Sequence, residues 1–315
     1  MPTRRTFLHQ STLLAGAVLL PFASHTASAR KFTLSLRPGA IGISEDDLRA
    51  NLQLVYRHGF EALDADAGGI ARLDAGLLAE LRAEMQTRGI VWGAPGVPVV
   101  FQQDEDRFRQ DLLRLPAIAA GLARAGVTRT GTWLMPRHDS LTYLSNFRQH
   151  VRRLREIARI LGDHGIRFGL EYVGPKTLRA PGRYAFIYSL RETRELIAEI
   201  GLANMGVVLD SFHWYTAGET VTDLLDLSAQ DIVACDLNDA VAGRTPDEQI
   251  DGQRELPTAT GVIDLRAFLQ ALLDLGYDGP VRAEPFNRPL NELDDDAAAQ
   301  ATAQAMRKAF ALVGG

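Results

Sequence analysis

The chain alternates two kinds of hydrophobic pattern. Short apolar runs of four to seven residues are each followed by a longer segment whose apolar positions recur every three or four residues. Met205 to Leu209 is one such run, and Asp210 closes it. A continuous apolar run of that length suits a strand covered on both faces. The segment Glu45 to His58 shows the other pattern, with Leu48, Leu52 and Val55 on one stripe and Ser44 as the expected cap. In order, the strand-like runs are Phe32 to Leu36, Glu61 to Asp66, Ile90 to Gly93, Thr128 to Leu134, Arg167 to Tyr172, Met205 to Leu209, Ile232 to Leu237 and Val281 to Phe286. The helix-like segments between and after them include Asp74 to Arg88, Glu105 to Ala125, Leu141 to Gly165, Ser189 to Ile200, Val221 to Leu227, Leu265 to Leu275 and Asp294 to Val313. Pro116 predicts a kink or break in the second of these. Arg148, Arg152, Arg153 and Arg155 read as a solvated helix face. Strict strand–helix alternation implies parallel strands joined by right-handed crossovers. Eight such units point to a single-domain α/β fold, the (β/α)8 barrel. A doubly wound open sheet is the competitor, weakened because no glycine-rich nucleotide fingerprint follows the first strand.

Four apolar runs end in an acid: Glu171, Asp210, Asp236 and Glu284. A carboxylate at the end of an apolar strand costs free energy unless a cation meets it. In a barrel the carboxyl ends of the strands converge on one face, so these four acids share one site. A divalent metal is one solution, and hard oxygen ligands favour Mg2+, Mn2+ or Ca2+ over Zn2+. The other solution is salt bridging to Lys176, Arg183 or Arg254. His213 lies three residues beyond Asp210. The polar stretch from Asn238 to Gly261 is long for a loop in a compact domain, which marks it as functional.

Composition narrows the field. Of 315 residues, 46% are hydrophobic and 23% charged, ordinary for a globular protein with a sizeable core. A net charge of -5 without a basic block argues against sequence-independent nucleic-acid binding. Cys235 is the lone cysteine, which excludes an internal disulfide and a cysteine-based zinc knuckle. Thr3-Arg4-Arg5-Thr6-Phe7-Leu8, the apolar run Leu13 to Phe22, and Ala27-Ser28-Ala29 resemble a twin-arginine export signal with cleavage after Ala29. An uncleaved membrane anchor is the alternative. The division expected is therefore an export signal over residues 1–29 and a barrel over 30–315. The implied partner is the twin-arginine export machinery, and the implied location is periplasmic or secreted.

Gly-Leu-Glu171-Tyr, Asp210-Ser-Phe-His213, Ala-Glu284-Pro-Phe, the segment Asp251-Gly-Gln-Arg254-Glu-Leu-Pro257 and Gly276-Tyr-Asp-Gly-Pro-Val281 together resemble the xylose isomerase-like (β/α)8 superfamily, in its sugar phosphate isomerase/epimerase branch. The resemblance implies one divalent metal held by Glu171, Asp210, Asp236 and Glu284. It also implies that Glu171 and Glu284, on opposite sides of the sugar, carry the proton. The family places a histidine where Asp236 stands, so an all-carboxylate site that favours Mn2+ or Mg2+ over Zn2+ is expected. His213 would bind substrate or hydrogen-bond to Asp210. Arg254 would hold substrate oxygens or pair with Asp251. His138 and Lys176 are further substrate-binding candidates. Trp92, Trp133, Trp214 and Phe286 lie near strand ends, where aromatic faces suit either sugar C–H surfaces or the core. The implied reaction is isomerisation or epimerisation of an unphosphorylated sugar, keto-sugar or inositol derivative through an enediolate. The alternatives are a lyase or dehydratase acting on a keto-glycoside or inosose, and a non-catalytic sugar-binding barrel. A homo-oligomer is one open arrangement.

Overall fold

In the computed structural model, residues 30–314 are described, and the expected export signal lies outside them. The apolar runs form eight strands: β1 Thr33–Leu36, β2 Ala62–Leu63, β3 Val91–Trp92, β4 Arg129–Trp133, β5 Arg167–Glu171, β6 Met205–Asp210, β7 Ile232–Asp236 and β8 Pro280–Arg282. They make one parallel sheet in the order β3-β2-β1-β8-β7-β6-β5-β4. The ring closes just beyond β3, where Gly96 bridges Gly131 of β4. The Val97 N–H donates to the Gly131 carbonyl at 2.9 Å, and the Gly131 N–H donates to Pro95 at 3.1 Å. The expected eightfold barrel is the fold observed. Among the described residues no helix is long and apolar enough to cross a membrane.

The apolar groups sort into two cores. Most bury between the strands and the outer helices, in a cluster that includes Phe32, Leu154, Leu209 and Phe310. The barrel interior is small, with Ala94, Val208 and Ala234 forming a cluster of their own. Space there is tight. A Cβ on Gly169 would lie 2.8 Å from Val208 Cγ2 and 2.9 Å from Val233 Cβ, so only glycine fits that position. One layer further along the strands the interior turns polar, because Asp210, Asp236 and Arg282 stand in register on β6, β7 and β8.

Three local expectations shift. The first helix begins at Leu48, not Glu45, because Asp47 rather than Ser44 caps it, accepting from the Ala50 N–H at 2.9 Å. The helix Glu105–Ala125 runs through Pro116 without a break. Pro116 is on the exposed side, where water can serve the carbonyl left without a donor. Arg153 is not solvated. It is buried and donates to the carbonyls of Phe101 and Gln103, each at 2.6 Å, and to Glu105 at 2.8 Å. Its neighbours Arg148, Arg152 and Arg155 are exposed, as expected.

The long segment after β7 is not loose. Asp239 accepts from the N–H groups of Thr260, Gly261 and Ile263 at 3.0, 2.7 and 3.1 Å. A bridge between Asp239 and Glu255 pins its middle. These anchors hold Arg254 over the barrel mouth.

Candidate active site

Asp210 does two jobs at the end of β6. It is the last strand residue and also the cap of a short helix, Ser211–Ala217, accepting from the Phe212 N–H at 2.7 Å. That sharp strand-to-helix turn carries His213 back over the barrel mouth, where it is 1% exposed. Its Nε2 lies 3.7 Å from Glu171 Oε1 and 3.8 Å from Asp210 Oδ2. The helix was not legible as a separate element, although the Asp210–His213 spacing was.

The four acids expected to converge do so. Glu171, Asp210, Asp236 and Glu284 are all buried at the carboxyl ends of β5 to β8. Three guanidiniums enter the same cluster. Arg254 Nη1 donates to Asp210 Oδ2 at 2.7 Å and to Glu284 Oε2 at 3.3 Å. Its Nη2 reaches Asp251 at 2.8 Å and lies 3.2 Å from His213 Nε2. The guanidinium is held between the rings of Phe212 and Phe286, at 4.8 and 4.6 Å from their centroids. Phe286 takes a left-handed backbone conformation there (φ 41°), a strain of the kind stored at functional sites. Arg37, directly after β1, pairs with Glu284 Oε1. Arg282 clasps Asp236 from below, with Nε and Nη2 at 2.6 and 3.1 Å from its two oxygens. Arg282 Nη1 donates at 2.9 Å to Asp64, which also accepts from Ser35 Oγ at 2.7 Å.

These partners set the charge states. Burial raises the Glu171 carboxyl well above the usual carboxylate range, and Glu284, Asp236 and Asp210 nearby raise it further. Burial lifts Asp210 to about 6 despite Arg254. Burial also raises Glu284, opposed by Arg37. Burial works against ionisation of Asp236 too, but there Arg282 prevails and its carboxyl titrates low. Burial and the Arg254 charge drop His213 to about 3, so its ring is neutral.

The remaining candidates lie further out. Lys176 is half-exposed at the rim and pairs with Asp247. His138 sits on a two-residue strand, Arg137–His138, paired antiparallel with Tyr184–Ala185. Its Nδ1 accepts from the N–H groups of Ser140 and Leu141 at 3.0 and 2.9 Å. Trp133 and Phe286 are open to the cleft over the acids, whereas Trp214 packs against Phe268 and Trp92 donates to the Ala125 carbonyl. Arg183 does not reach the acids, and its guanidinium lies over Tyr184.

Sequence reasoning missed Arg37, Asp64, Arg282 and Asn238. Asn238 ties two of the acids together. Its Nδ2 donates to Asp210 at 3.1 Å, and its Oδ1 accepts from the Glu284 N–H at 2.8 Å. A signal for Arg282 existed, since it lies two residues before Glu284 and strand alternation puts both on one face.

A divalent cation fits this donor set. Glu171 Oε1 is buried with no hydrogen-bond partner. Ligand atoms of Glu171, Asp210 and His213, and likewise of Glu171, Asp236 and Glu284, lie within 4.8 Å of one another. Glu171 belongs to both groups. The cleft above them has a volume of about 750 Å3, in the usual range for a small-molecule site.

A closed eight-stranded parallel barrel with acids, an imidazole and arginines gathered at its carboxyl-terminal mouth is the architecture of a small-molecule enzyme. The chain belongs to the xylose isomerase-like TIM barrel family, whose model matches residues 52–309. It is 23% identical over 256 residues to an inosose isomerase of Bacillus velezensis, a match spanning 78% of this chain and 86% of that protein. Among solved structures, a xylose isomerase domain protein from Alicyclobacillus acidocaldarius is 33% identical, with a TM-score of 0.78 over 90% of this chain and 100% of the other. The IolI protein, solved with a bound zinc atom, shares the fold at 21% identity and a TM-score of 0.73, over 88% of this chain and 98% of that one.

Proposed function

We propose that this protein is an isomerase or epimerase that moves a proton next to the carbonyl of an unphosphorylated keto-sugar or inositol derivative. The observation that carries the reading is the asymmetry between two buried glutamates in one cleft. Glu284 is clasped by Arg37 and Arg254, which oppose the rise that burial gives its carboxyl. Glu171 has an open oxygen, and burial beside three other acids raises its carboxyl above the usual range. Glu284 therefore accepts the proton from the carbon beside the carbonyl, and Glu171 returns one on the other side or to the neighbouring carbon. As the carbonyl oxygen gains charge, the Arg254 guanidinium offers it fixed donors in a site shielded from water. Neutral His213 orients a substrate hydroxyl beside Asp210.

Glu171, Asp210, Asp236 and Glu284, with His213 beside them, would hold a divalent ion, which when bound supplies Lewis-acid stabilisation of oxygen charge. The carboxylate-rich set supports manganese or magnesium over zinc. The inosose isomerase relative supports a cyclitol or sugar substrate. The twin-arginine N-terminus supports a periplasmic or secreted enzyme, and an unphosphorylated substrate suits that location.

The test is incorporation of solvent deuterium into inososes and ketohexoses, followed by NMR with added Mn2+, Mg2+ or Zn2+. The reading expects metal-dependent exchange at the carbon beside the carbonyl, abolished in Glu284→Gln. Saturable sugar binding without exchange would sink it. Cell fractionation tests export, with Arg4→Lys/Arg5→Lys expected to hold the protein in the cytoplasm.

A further inference from the structure

The barrel mouth is chemically divided. The charged side chains that line the cleft all come from one arc, from Glu171 on β5 round to Arg37 and Glu45 after β1. The ends of β3 and β4 contribute one hydroxyl, Thr132, and no charged group. Their larger side chains are apolar: Val97 after β3, Trp133 at the end of β4 and Met135 just beyond it. Leu178 continues this wall from the short helix Lys176–Arg179, which follows β5, the neighbour of β4 in the sheet.

A ligand can reach these side chains. Trp133 is 44% exposed, and Val97, Met135 and Leu178 are each partly exposed. Apolar groups left open together inside a cleft mark a binding surface. The space beside the indole is also open. A Cβ on Gly96, which bridges Gly131 of β4, would meet nothing within 4 Å.

Register fixes where this wall lies relative to the acids. Trp133 and Glu171 are paired residues of β4 and β5. Both lie two residues beyond a glycine that faces the barrel interior, because a Cβ on Gly131 or Gly169 would come within 3.0 or 2.8 Å of Val208 Cγ2. Side chains alternate along a strand, so Trp133 and Glu171 project on the same face, one strand spacing (~4.8 Å) apart.

The wall and the room beside it select a class of ligand. A free hexose is smaller than the drug-sized ligands that a cleft of about 750 Å3 encloses. With its hydroxyls on the charged arc, such a sugar leaves the Trp133 wall uncovered. A phosphate or carboxylate would meet no cation on that wall, and a second polyhydroxylated ring would lose its water there with one hydroxyl in exchange. A flat apolar group needs no polar partner and stacks on the indole.

We propose that the substrate is a keto-sugar carrying an aromatic substituent, and that Val97, Trp133, Met135 and Leu178 form the subsite that holds this substituent next to Glu171. This rests on the keto-sugar reading of the main cleft.

The test compares methyl and phenyl 3-oxo-D-glucopyranosides, in both anomers, which keep a free ring carbonyl and differ only in the substituent. Calorimetry on the full chain with Mn2+ present should show the phenyl glycoside of at least one anomer binding ~10-fold or more tighter than its methyl counterpart, the usual worth of burying a phenyl group. Trp133→Ala and Leu178→Asn, both at positions open to solvent, should each lower that ratio. Equal affinities, no binding of either glycoside, or a ratio unchanged in both variants would overturn the subsite. Deuterium exchange on the methyl glycosides, inososes or ketohexoses without a phenyl preference removes the subsite and leaves the proposed reaction. A Trp133-dependent phenyl preference without exchange on any sugar keeps the subsite and removes the reaction.

Discussion

Glu171 closes β5 and Asp236 closes β7, and both carboxylates are buried in one cluster. Asp236 receives two hydrogen bonds from Arg282 and is held ionised. Glu171 Oε1 receives none, and burial with three neighbouring acids raises the group well above the usual carboxylate range. The same contrast extends outward. On the β7 side, Asp64 joins the Arg282 pair. On the β5 side, Tyr172 donates to Glu219, a second acid that burial raises, to about 7. One side of the mouth is a fixed ionic clasp, and on the other burial favours the neutral form of the acids. Identical strand endings acquire opposite chemistry according to whether a guanidinium reaches them from another strand.

The contrast is broken hardest through the glutamate pair. Glu284→Gln and Glu171→Gln should each lower proton exchange by ~10²- to 10⁴-fold, the usual worth of a positioned acid or base. Circular dichroism should show both variants folded. An active Glu171→Gln variant would remove Glu171 from the mechanism.

Stability separates the two sides next. Arg282→Met leaves Asp236 and Asp64 buried without their cation and should cost ~3–5 kcal/mol in urea denaturation. The double change Arg282→Met/Asp236→Leu should recover part of that loss. Glu171→Gln removes an acid that no cation meets and should change stability by less than ~1 kcal/mol. Equal losses at Arg282 and Glu171 would erase the distinction.

The pH dependence should follow the β5 side. Burial raises the folded pKa of Glu219 from 4.5 to about 7. The folded state therefore binds the extra proton, so the contribution of Glu219 is full below about 4.5 and is lost as pH rises through about 7. Stability measured across that window should fall with rising pH, and Glu219→Gln should flatten the slope. A slope unchanged in the variant would assign it to other groups.

The smallest effect is expected at the rim. Lys176 pairs with Asp247, and both side chains are at least half-exposed. Lys176→Ala should alter stability by only ~0–1 kcal/mol. A large loss of substrate affinity in that variant would extend the functional surface to the rim.

Much of the site could be read along the chain because it depends on local pattern. An apolar run ended by an acid is a strand end, and Asp210 followed by His213 fits one strand-to-helix turn. Alternation of eight such runs with amphipathic segments dictates a parallel barrel, since short connections and right-handed crossovers leave few other solutions. That logic places Glu171, Asp210, Asp236 and Glu284 together at one end of the barrel. It also placed Arg254 on the long loop beside them.

Which acid meets which cation depends on distance across the ring. Arg282 reaches Asp64, 218 residues earlier in the chain, and Arg37 reaches Glu284, 247 residues later. No periodicity encodes such pairs, because register between non-adjacent segments is set only when the sheet closes. The burial of Arg153 has the same origin, being a consequence of loops packed against a helix face. The sequence by itself therefore determined the barrel and the gathering of its acids. Only the tertiary structure decided their charges, because a buried carboxyl takes its protonation from the groups that closure brings within hydrogen-bond reach.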